Sequence, residues 1–578
     1  MCRFLILIVL ILGYGRICSS WTPQEVVQRL NRDMELELNI YMDCEDVNIS
    51  VDQGEVPNLQ LNSVYEQPKL MGRFSERALL IACLKEAKGN RTLKRLKELL
   101  WGLQHLPIFY ILNSEMDFYF EQALQKGFLH TLALNTMNGS LYTYTPYPTI
   151  QIHQLKEIEN FYKITTLKNL HGIDVNITGE TMTPRCFHYN NRQGKKVYAG
   201  YMYKLVKGFI NAYNGTERMA YANEEIIPYD ELKSELLNGH IDMMPRIIHI
   251  LNWQYFYRSS ILYNIKTFII VPWAEPLPKS LYFLKPFVWT AWMTIMASLM
   301  YSSIMIWRLK HRQKDASTLS STFLDVLQWL FLLPISHNWH YKLGLHRVIA
   351  FLVLFTVGFI LTNLYLAQLS SFLTTGLFKK QLNTFEDLFR ENRTLILESF
   401  DMEVLHNMTR DKLIQPEFEN IVVSTSIAEV FSHRKSLNTT YVYTAYEDRI
   451  EFELYQQVYL RVPIFKRLND IYDQRPVFVA LRHGLPYAEL FNNYLHRIWE
   501  SGILAKFQSD TLNEGISSGE ISFRHSTSRE IHVFDMEFYY FAYILLGFGW
   551  SISIIVFLVE RKGFIIGNKC LQWVFKDK

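Results

Sequence analysis

The chain has 578 residues, of which 20% are charged and 15% aromatic, and it is too long for one compact domain. This balance fits a protein that has membrane segments beside water-exposed domains. The net charge is +3, and basic residues occur singly or in short clusters, so the charge pattern gives no reason to expect a nucleic-acid partner.

Residues 1–20 have the pattern of a secretory signal peptide. Arg3 supplies the positive end, an unbroken run of nine apolar residues follows at 4–12, and small residues end the segment at 18–20. The apolar run is short for a membrane anchor, which disfavours the alternative of an uncleaved helix. We therefore expect the chain that follows to lie outside the cell.

Residues 21–167 form a mixed, globular amino-terminal region. Apolar and basic residues alternate over 79–100 in the manner of a surface helix, and residues 106–112 have the apolar run of a buried strand. No catalytic or nucleotide-binding motif occurs in this region, so the sequence assigns it no function.

The cysteine pattern excludes a disulfide-rich scaffold. Three cysteines, Cys44, Cys83 and Cys186, lie in the part expected outside the cell, so at most one intrachain disulfide can form among them. We favour the pair Cys44–Cys83. No Cys-x-x-Cys pair is present to indicate a zinc site, and we predict no metal.

Residues 168–280 have the pattern of an α/β domain. A strand pattern starts at Asp174. A helix is expected between Pro228 and Gly239, because proline favours a helix start and glycine a helix end. A strand-like run follows at 268–272, and the alternation of helices with short buried strands predicts an α/β lobe.

Residues 286–307 predict the first membrane-spanning helix, because no charged side chain lies between Lys285 and Arg308. Basic residues follow immediately, and they are enriched at the cytoplasmic ends of spanning helices. This end of the helix is therefore predicted in the cytoplasm, in agreement with the signal peptide at the start of the chain.

Residues 321–337 contain a short apolar run, FLDVLQWLFLLPIS, at 323–336. As a helix this run is too short to cross a hydrocarbon core of about 30 Å, which favours a re-entrant segment. An interfacial or partly buried helix is the alternative.

Residues 348–378 carry no charged side chain. At about 1.5 Å per residue they are long enough to cross a membrane and continue beyond it. The outer part, LYLAQLSSFLT at 364–374, has small, amide and hydroxyl residues where a lipid-facing helix has leucine and isoleucine. Such residues need a partner helix or water inside a membrane, which favours a bundle crossing or a pore lining over an isolated anchor.

Residues 379–536 form a second block that is expected outside the cell. A helix start is predicted at Asn383 or Thr384, with acidic residues in its first turn. Strand patterns follow at 440–444 and 477–481. This block therefore predicts a second α/β lobe.

The last spanning helix is predicted at 538–559, and a basic cytoplasmic tail follows at 560–578. Eight Asn-x-Ser/Thr sequons lie in the blocks expected outside the cell, so each is a candidate glycosylation site. They are Asn48, Asn90, Asn138, Asn176, Asn214, Asn392, Asn407 and Asn438.

The segment at 364–374 resembles SYTANLAAFLT, the gate sequence of ionotropic glutamate receptors, aligned without a gap. The order of the segments resembles the same family: signal peptide, α/β lobe, spanning helix, re-entrant loop, spanning helix, second lobe and last spanning helix. With its reduced amino-terminal region, the chain looks most like the divergent insect ionotropic receptors, which are chemosensory relatives. The resemblance covers residues 168–578. The identical gate positions are Tyr365, Ala367, Leu369, Phe372, Leu373 and Thr374.

Further motifs resemble those of the family. Residues 237–243 resemble a first-lobe motif, L-x-x-G-x-x-D-I, and residues 386–388 resemble the Glu-Asp-Leu that opens the second lobe. Residues 478–487 and 495–507 resemble the closing motifs of the second lobe. The resemblance implies a multi-domain membrane protein with a bilobed α/β clamshell, like that of periplasmic binding proteins. It also implies an α-helical pore domain with three spanning helices and a re-entrant loop.

The glutamate-binding residues of the family do not carry over. The arginine that clamps the α-carboxylate of the ligand falls on Gln254, with Arg258 four residues beyond it and Arg246 too early. The acidic residue that holds the amino group falls on Tyr446, with Glu447 adjacent. The second-lobe disulfide of the family is also missing. Gln254, Arg258, Tyr446 and Glu447 are therefore candidate residues of a changed pocket. The alternative for Glu447, and for Asp448 beside it, is a role as surface charges. We expect a ligand other than glutamate.

The resemblance implies a chemosensory ligand-gated cation channel subunit of the plasma membrane. Closure of the clamshell around a small molecule would pull on the helix at 348–378 and open the gate. The pore turn carries no charge, so selectivity would rest on backbone carbonyls and pore size. Heterotetramers with co-receptor subunits are implied, and no cofactor is. The gate would comprise Tyr365, Ala367, Gln368, Ser371 and Thr374, and the pore turn Leu333, Pro334, Ile335 and Ser336.

Three rival functions fit parts of the sequence less well. For an enzyme, residues 515–519 match G-x-S-x-G without the strand-turn-helix context of a nucleophile, and His337 and His340 lack a third metal ligand. A transporter would show more spanning helices or paired repeats. An auxiliary subunit, which binds ligand while its partners carry the pore, is favoured by Leu364 and Leu366 at gate positions where the family has Ser and Thr.

Overall fold

The structure is a computed structural model, and the chain divides into two units. The first unit comprises Met1–Pro272 and Asn383–Ser526, and the second comprises Trp273–Leu382 and Thr527–Lys578. The predicted signal peptide lies outside the described residues. The structure describes residues 21–45, 56–66, 69–75, 77–85, 89–113, 116–221, 227–248, 256–312, 318–333, 345–525, 536 and 538–574.

The amino-terminal part of the first unit is a mixed sheet with helices on both faces. Its strands are β1 (Leu38–Met42), β2 (Asn58–Leu61), β3 (Ala78–Leu84), β4 (Ile108–Leu112), β5 (Thr131–Asn135), β6 (Ser140–Thr145) and β7 (Gln151–Leu155). Its helices are α1 (Pro23–Asp33), α2 (Gly89–Leu99), α3 (Asp117–Gln125) and α4 (Phe161–Thr165). The strand order is β2-β1-β3-β4-β5-β6-β7, with parallel pairing up to β5 and antiparallel pairing of β6 and β7.

Both faces of this sheet are covered, and its central strands are apolar throughout. Every residue of β3, ALLIACL, and of β4, IFYIL, is buried. Leu80 packs in a cluster with residues of α2 and α3, whereas Leu79 packs with residues of α1 and α4. Continuous apolar strands of this kind are the pattern of parallel strands buried on both faces.

The structure corrects one prediction in this region and confirms two others. The helix predicted over 79–100 is wrong in its first part, because that stretch belongs to β3 and the helix α2 begins only at Gly89. A buried apolar run cannot be told from a helix by periodicity alone. The strand predicted at 106–112 is confirmed as β4. The disulfide Cys44–Cys83 is confirmed, and it joins the end of β1 to β3.

The second large sheet of the first unit is built from strands that precede and follow Trp273–Leu382, the longer segment of the second unit, in the sequence. Its strands before that unit are β8 (Asp174–Thr178), β11 (Thr216–Tyr221), β12 (Met243–Ile248), β13 (Tyr257–Arg258) and β14 (Tyr263–Pro272). Its strands after that unit are β15 (Leu395–Glu398), β16 (Val422–Thr425), β17 (Val442–Tyr446) and β18 (Phe465–Leu481). The order is β11-β8-β12-β18-β14-β17-β15-β16, and β13 also pairs with β18. A separate hairpin pairs β9 (Phe187–Asn190) with β10 (Lys196–Ala199).

The antiparallel strands β14 and β18 connect two halves of this sheet. We call the part with β8–β13 the first half and the part with β15–β17 the second half. The end of β18 at Val477–Leu481 pairs with β12 and β13, whereas β14 pairs with β17 through Thr267–Ile270. Between these ends the two strands pair with each other from Tyr263 to Pro272.

Helices cover each half. The first half is packed by α5 (Tyr201–Ala212), α6 (Tyr229–Asn238), α15 (Ala488–Glu500) and α16 (Ile503–Ser518). The second half contains α10 (Phe385–Glu391), α11 (Ser399–Arg410), α12 (Phe418–Ile421), α13 (Ile427–Lys435) and α14 (Glu447–Leu454). The main apolar cluster of the first half includes Val175, Phe209 and Phe491, and that of the second half includes Phe268, Tyr443 and Phe465.

Local signals in the sequence predicted several of these elements. The strand expected from Asp174 is β8, and α6 lies between Pro228 and Gly239 as predicted. Gly239 has a φ of +79°, the left-handed conformation that glycine adopts at helix ends. Thr384 is the N-cap of α10, and its side chain accepts a hydrogen bond from the backbone N–H of Asp387.

The second unit contains the long apolar helices. They are α7 (Trp289–Arg312), α9 (Leu345–Thr375) and α17 (Tyr540–Val574), with the shorter α8 (Leu319–Leu330) between the first two. In the described part of the chain, three segments are long and apolar enough to cross a membrane: Trp289–Arg312, Val348–Thr375 and Tyr540–Val559. They match the three predicted spans and indicate a membrane protein.

Helix α8 packs between α7 and α9. Its Val326 and Trp329 are buried, and they contact Leu299 of α7 and Phe351 of α9 in one cluster. Gly358 of α9 lies against the carbonyl of Leu330, where a side chain would collide. With 12 residues, α8 is about 18 Å long and too short to span a bilayer. Re-entry of this segment into a membrane stays a prediction.

The chain enters and leaves the second unit through two paired segments. Leu277 N–H donates to the carbonyl of Leu377 at 2.7 Å, and Lys379 N–H donates to the carbonyl of Glu275 at 3.0 Å. These bonds flank an antiparallel bridge between Pro276 and Phe378. We call residues 273–278 and 376–382 the linker pair. The start of α7 and the end of α9 are therefore tied together by backbone hydrogen bonds.

Candidate ligand-binding cavity

A cavity of about 110 Å³ lies between the two halves of the second sheet. One water needs roughly 10–15 Å³ on this measure, so the cavity has room for a small molecule. Thr267 of β14 and Tyr472 of β18, the two connecting strands, are among its walls. From the first half it is lined by Met182, Arg185, Arg246, Ile247 and Ile248. The charged and aromatic lining of the second half comprises Glu398, Asp401, Phe431, Arg434, Tyr446 and Arg449.

One buried ion pair joins the two halves beside the cavity. Arg185, which precedes β9, donates from Nε to Oδ2 of Asp448 at 2.9 Å and from Nη2 to Oδ1 at 3.2 Å. Tyr201 of α5 donates its hydroxyl to the same carboxylate at 2.7 Å. Burial is the largest single influence and raises the pKa of Asp448, but Arg185, Arg449 and the Tyr201 hydroxyl together outweigh it, so the net shift is downward. Asp448 is therefore held as a carboxylate.

The backbone at Arg185 is fixed by the start of α5. Its carbonyl accepts hydrogen bonds from the N–H groups of Met202 at 3.0 Å and Tyr203 at 3.2 Å, which are free donors of the first helical turn. Gly200 precedes the helix with a φ of +110° and lies against this carbonyl, where a side chain would collide. The sequence before the helix thus positions Arg185 toward the second half.

Two other arginines of the cavity are paired within their own half. Arg246 lies 3.7 Å from Glu180 and also donates to the carbonyl of Ile227. Nε of Arg434 lies 2.7 Å from Oε2 of Glu453, and Nη1 donates to the carbonyl of Thr444 at 3.3 Å. Both pairs are almost fully buried, so the Coulomb attraction between the partners offsets a large desolvation cost.

Arg449 differs from the other three arginines. It is 6% exposed, yet in the part of the chain that the structure describes no carboxylate lies within ion-pair distance of it, and its Nε has no hydrogen-bond partner. Its guanidinium carbon lies 4.5 Å from the centre of the Phe431 ring and 5.8 Å from that of Tyr446. Burial, together with Arg185 and Arg434, lowers the pKa of Arg449 to about 9, so it carries a positive charge at neutral pH.

Two acidic side chains on the cavity wall are unlike ordinary surface carboxylates. Burial, with Glu398 nearby, raises the pKa of Asp401 to about 7, although three arginines oppose the shift. Burial also raises the pKa of Glu398. Asp401 therefore changes its charge close to neutral pH, whereas most aspartates do so near pH 4.

The predicted ligand-binding residues fall in different places. Tyr446 lines the cavity, and its ring lies under the guanidinium of Arg185 at 4.6 Å. Glu447 instead lies 3.5 Å from Arg467 and is not among the lining residues. Arg258 lies in β13 over the ring of Phe478, also away from the lining. Gln254 lies outside the described residues.

Most charged residues of the cavity were not predicted from the sequence. Asp448 was treated as a surface charge, but its side chain is 7% exposed and bonded to Arg185. Arg246 was judged too early for a ligand contact, and it lines the cavity. Arg434 and Arg449 carried no motif. The only local signal was a charged run, Glu-Asp-Arg at 447–449, a few residues after the strand predicted at 440–444, near a strand end where side chains often face a cleft.

The gate residues lie on α9 of the second unit. Tyr365 donates its hydroxyl to the carbonyl of Phe283 at 3.1 Å, and its ring contacts those of Phe287 and Trp292. The other four predicted gate residues are exposed on the helix: Ala367, Gln368, Ser371 and Thr374. Leu333, which follows α8, is also exposed. The remaining predicted pore-turn residues, Pro334, Ile335 and Ser336, lie outside the described residues.

The sequons differ in accessibility. Asn176 lies in β8, between β11 and β12, and its amide group donates to Asp242 at 3.3 Å, so it is a poor glycan acceptor. Asn438 is partly buried and hydrogen-bonded to His433. Asn48 lies outside the described residues. Exposed sequon asparagines are Asn90, Asn138, Asn214, Asn392 and Asn407.

The described residues contain no group of three or more His, Cys, Asp or Glu side chains that could hold a metal ion. The cavity can instead bind a small molecule through guanidinium groups, carboxyl groups and aromatic rings. Comparisons of the chain with protein-family models and with curated proteins found no match.

Proposed function

We propose that this protein is a chemosensory subunit of a ligand-gated cation channel in the plasma membrane. In this proposal the two halves of the second sheet are the lobes of an extracellular clamshell. A small molecule enters the cavity, the lobes close around it, and the closure opens a pore formed by the helices of the second unit.

One observation carries the proposal: the second unit is inserted into the α/β fold that contains the cavity. The strand β14 ends at Pro272, the second unit follows, and the chain returns to the same sheet at Asn383. The last residues of β14 pair with β17 and with Phe465 of β18, so both ends of this inserted segment join the second half, and movement of that half would act on the membrane segments. A ligand that prefers the closed arrangement would shift the halves toward it, by no more than its difference in affinity for the two states.

The linker pair supports this coupling. The end of β14, which pairs with β17 of the second half, leads into residues 273–278 before α7, and the chain returns to the second half through 376–382 after α9. Any relative motion of the halves would act on the backbone hydrogen bonds of Leu277 and Lys379. The exposed small and hydroxyl residues at 367–374 on α9 would then line the gate, where partner subunits or water satisfy them.

The charges of the cavity support a ligand other than glutamate. The position at which the family's carboxylate-binding arginine would fall is Gln254, and Tyr446 stands where an acid would hold an amino group. Arg185, the arginine of the first half nearest to Tyr446, is already paired with Asp448. A heterotetramer with co-receptor subunits fits this altered pocket, because partner subunits would supply further sites.

The proposal is tested by whole-cell current in cells that express the chain with and without co-receptor subunits. The ligand panel contains acids, amines, sugars, salts and glutamate. A ligand-evoked current whose ion selectivity changes on substitution of Leu333 or Ser336 is the expected result. Current that requires the partners and ignores both substitutions would favour the auxiliary-subunit function. No current despite delivery to the cell surface would overturn the channel function.

A cross-link at the linker pair tests the coupling separately. Pro276 and Phe378 form a non-hydrogen-bonded antiparallel pair. The Cα atoms of such pairs lie about 4.5 Å apart, a distance that a disulfide can bridge. The double variant Pro276→Cys/Phe378→Cys should lose ligand-evoked current under oxidising conditions and regain it with a reductant. Each single variant is the matched control and should respond to neither treatment.

A further inference from the structure

Three of the four arginines on the cavity walls are in ion pairs, and the fourth is not. Arg185 is paired with Asp448, Arg246 with Glu180 and Arg434 with Glu453. Arg449 is as deeply buried as these, and in the described part of the chain it has no such partner. Arg449 lies on α14 and lines the cavity on the side of the second half.

A guanidinium group in this position is costly unless something neutralises it. Moving an ion out of water without a paired charge is costly even after relaxation of the protein. Contacts with the faces of Phe431 and Tyr446 offset only part of that cost. An apolar side chain of similar length would fill the same space without this cost.

Asp448 and Glu453 act on the charge of Arg449 at longer range, and the charge acts in turn on Glu398 and Asp401. No carboxylate of the described residues lies within ion-pair distance, and Nε donates to no acceptor among them. The missing acceptor is best explained by a partner that is not part of the chain.

We infer that the cavity binds the carboxylate group of a small organic acid, and that Arg449 is the residue that receives it. The inference rests on the proposed function in one respect, that this cavity is the ligand site. The carboxylate is the chemical group that fits, because its two oxygens match two parallel N–H bonds of a guanidinium edge. In Arg449 the Nε of such an edge has no partner.

A second donor lies on the same wall. The guanidinium carbon of Arg434 is 4.7 Å from the centre of the Phe431 ring, which Arg449 also contacts. Nη2 of Arg434 has no hydrogen-bond partner among the described residues. Arg434 is bonded to Glu453 through Nε, so this second nitrogen remains for a ligand. The two guanidinium groups thus offer a carboxylate donors on one side of the cavity.

The size and the remaining charges limit the ligand. A cavity of about 110 Å³ admits a short acid and excludes a large one. Glu398, Asp401 and Asp473 also line the cavity, and their carboxylates would repel a second negative charge, which favours an acid with one carboxylate. A protonated Asp401 could also donate a hydrogen bond to the ligand.

The test compares molecules that share one carbon skeleton and differ only in the polar group. The full chain is purified in lipid nanodiscs, and thermal unfolding is followed by tryptophan fluorescence with acetate, propionate or butyrate. The corresponding primary amides and amines serve as comparisons. Bound ligand stabilises the folded state by mass action, so a binding carboxylate raises the unfolding temperature and the amide of the same length does not.

Variants assign the effect to Arg449. Arg449→Met should lower the apparent affinity for the carboxylate by roughly 10- to 150-fold, the loss expected for a charged hydrogen bond. Arg449→Lys keeps the charge without the planar edge and should retain part of the affinity. Arg467→Met is the matched control, because it removes an arginine that lies outside the cavity beside Glu447. The control should leave the carboxylate effect unchanged.

Three outcomes would overturn the inference. They are equal stabilisation by acid and amide, no stabilisation of the wild-type protein by any of the carboxylates, and a carboxylate effect that survives in Arg449→Met. Should Arg449→Met not fold, Arg449→Lys and Arg449→Gln carry the same test.

Failure of the inference can be told from failure of the proposed function. Carboxylates that stabilise the wild-type protein, while no compound of the panel evokes current from protein at the cell surface, would leave the inference standing and remove the channel function. Currents evoked only by amines or sugars, and unchanged in Arg449→Met, would leave the channel standing and remove the inference.

Discussion

The amino-terminal sheet and the cavity wall are both buried, but they bury opposite kinds of side chain. In the sheet, β3 and β4 place only apolar residues inside, and each strand is paired in parallel on both sides. At the cavity, Arg185, Arg434 and Arg449 are buried at a desolvation cost that apolar residues do not have. Burial in the sheet is explained by stability alone. Burial at the cavity opposes stability, which indicates that those residues are kept for another purpose.

The largest expected effect is in the sheet. Phe109 of β4 is fully buried, so Phe109→Ala should lower the free energy of unfolding by about 3–5 kcal/mol through lost contacts and the remaining cavity. Thermal and denaturant unfolding of the purified chain would measure it. Phe118→Ala, at an exposed aromatic residue of α3, is the control and should change little. A loss below about 1 kcal/mol at Phe109 would show that the sheet is not the stability core described here.

Substitution of an arginine in a buried ion pair should lower the free energy of unfolding nearly as much. Arg434→Met leaves the Glu453 carboxylate buried without its partner, so we expect a loss of about 3 kcal/mol in the free energy of unfolding. The double variant Arg434→Met/Glu453→Met removes both charges and should recover most of that loss. A double-mutant cycle on unfolding free energies measures the coupling. Additive losses would mean that the pair does not interact as the geometry indicates.

Substitution of Arg449, unlike that of Arg434, should not lower the stability of the ligand-free protein. Since no carboxylate of the described chain lies within ion-pair distance of it, Arg449→Met should leave the stability of the ligand-free protein unchanged or raise it by up to about 2 kcal/mol. Unfolding of the ligand-free variant, measured beside Arg434→Met, sharpens the contrast between a paired and an unpaired buried arginine. A loss as large as that of Arg434→Met would mean that Arg449 has a structural role.

The same contrast explains what could be predicted from the sequence. Elements with local signals were found: α6 between Pro228 and Gly239, α10 after its Thr384 cap, and the three apolar spans. Only residues 477–481 of β18 were predicted as a strand, because the earlier part has single apolar residues three positions apart, at Phe465, Leu468 and Ile471, and lacks the period-two alternation of a strand. A strand of 17 residues that serves two halves has no local signature.

The cavity was harder to predict because its residues are distant along the chain. Arg185 and Asp448 are 263 residues apart, with Trp273–Leu382 of the second unit between them. Neighbouring residues also have different surroundings. Glu447 lies beside Arg467, whereas Asp448, the next residue, is buried against Arg185. A step of one residue turns a helix by about 100°, and only the position of the first half decides which carboxylate is buried.

The smallest expected effect is a pH dependence set by Asp401. Its pKa is raised to about 7 in the folded protein from the usual 3.8. A raised pKa means that the folded state binds the proton more tightly. The contribution of Asp401 to stability is therefore fully present below about pH 4 and is lost as the pH rises through about 7. The charged groups that act on Asp401 are Glu398, Arg246, Arg434 and Arg449, and the rings of Tyr446 and Tyr472 are close to it.

The same titration should act on the ligand. Above about pH 7 the Asp401 carboxylate adds a negative charge to the cavity, so the apparent affinity for a bound carboxylate should fall by about 3- to 10-fold between about pH 6 and pH 8. Asp401→Asn should remove this dependence, whereas Asp411→Asn, at an exposed aspartate that follows the same helix, should keep it. Affinity that rises with pH would place the ligand's charge opposite to the one inferred here. In that case Glu398 and Asp401, and not Arg449, would be the residues that receive the ligand.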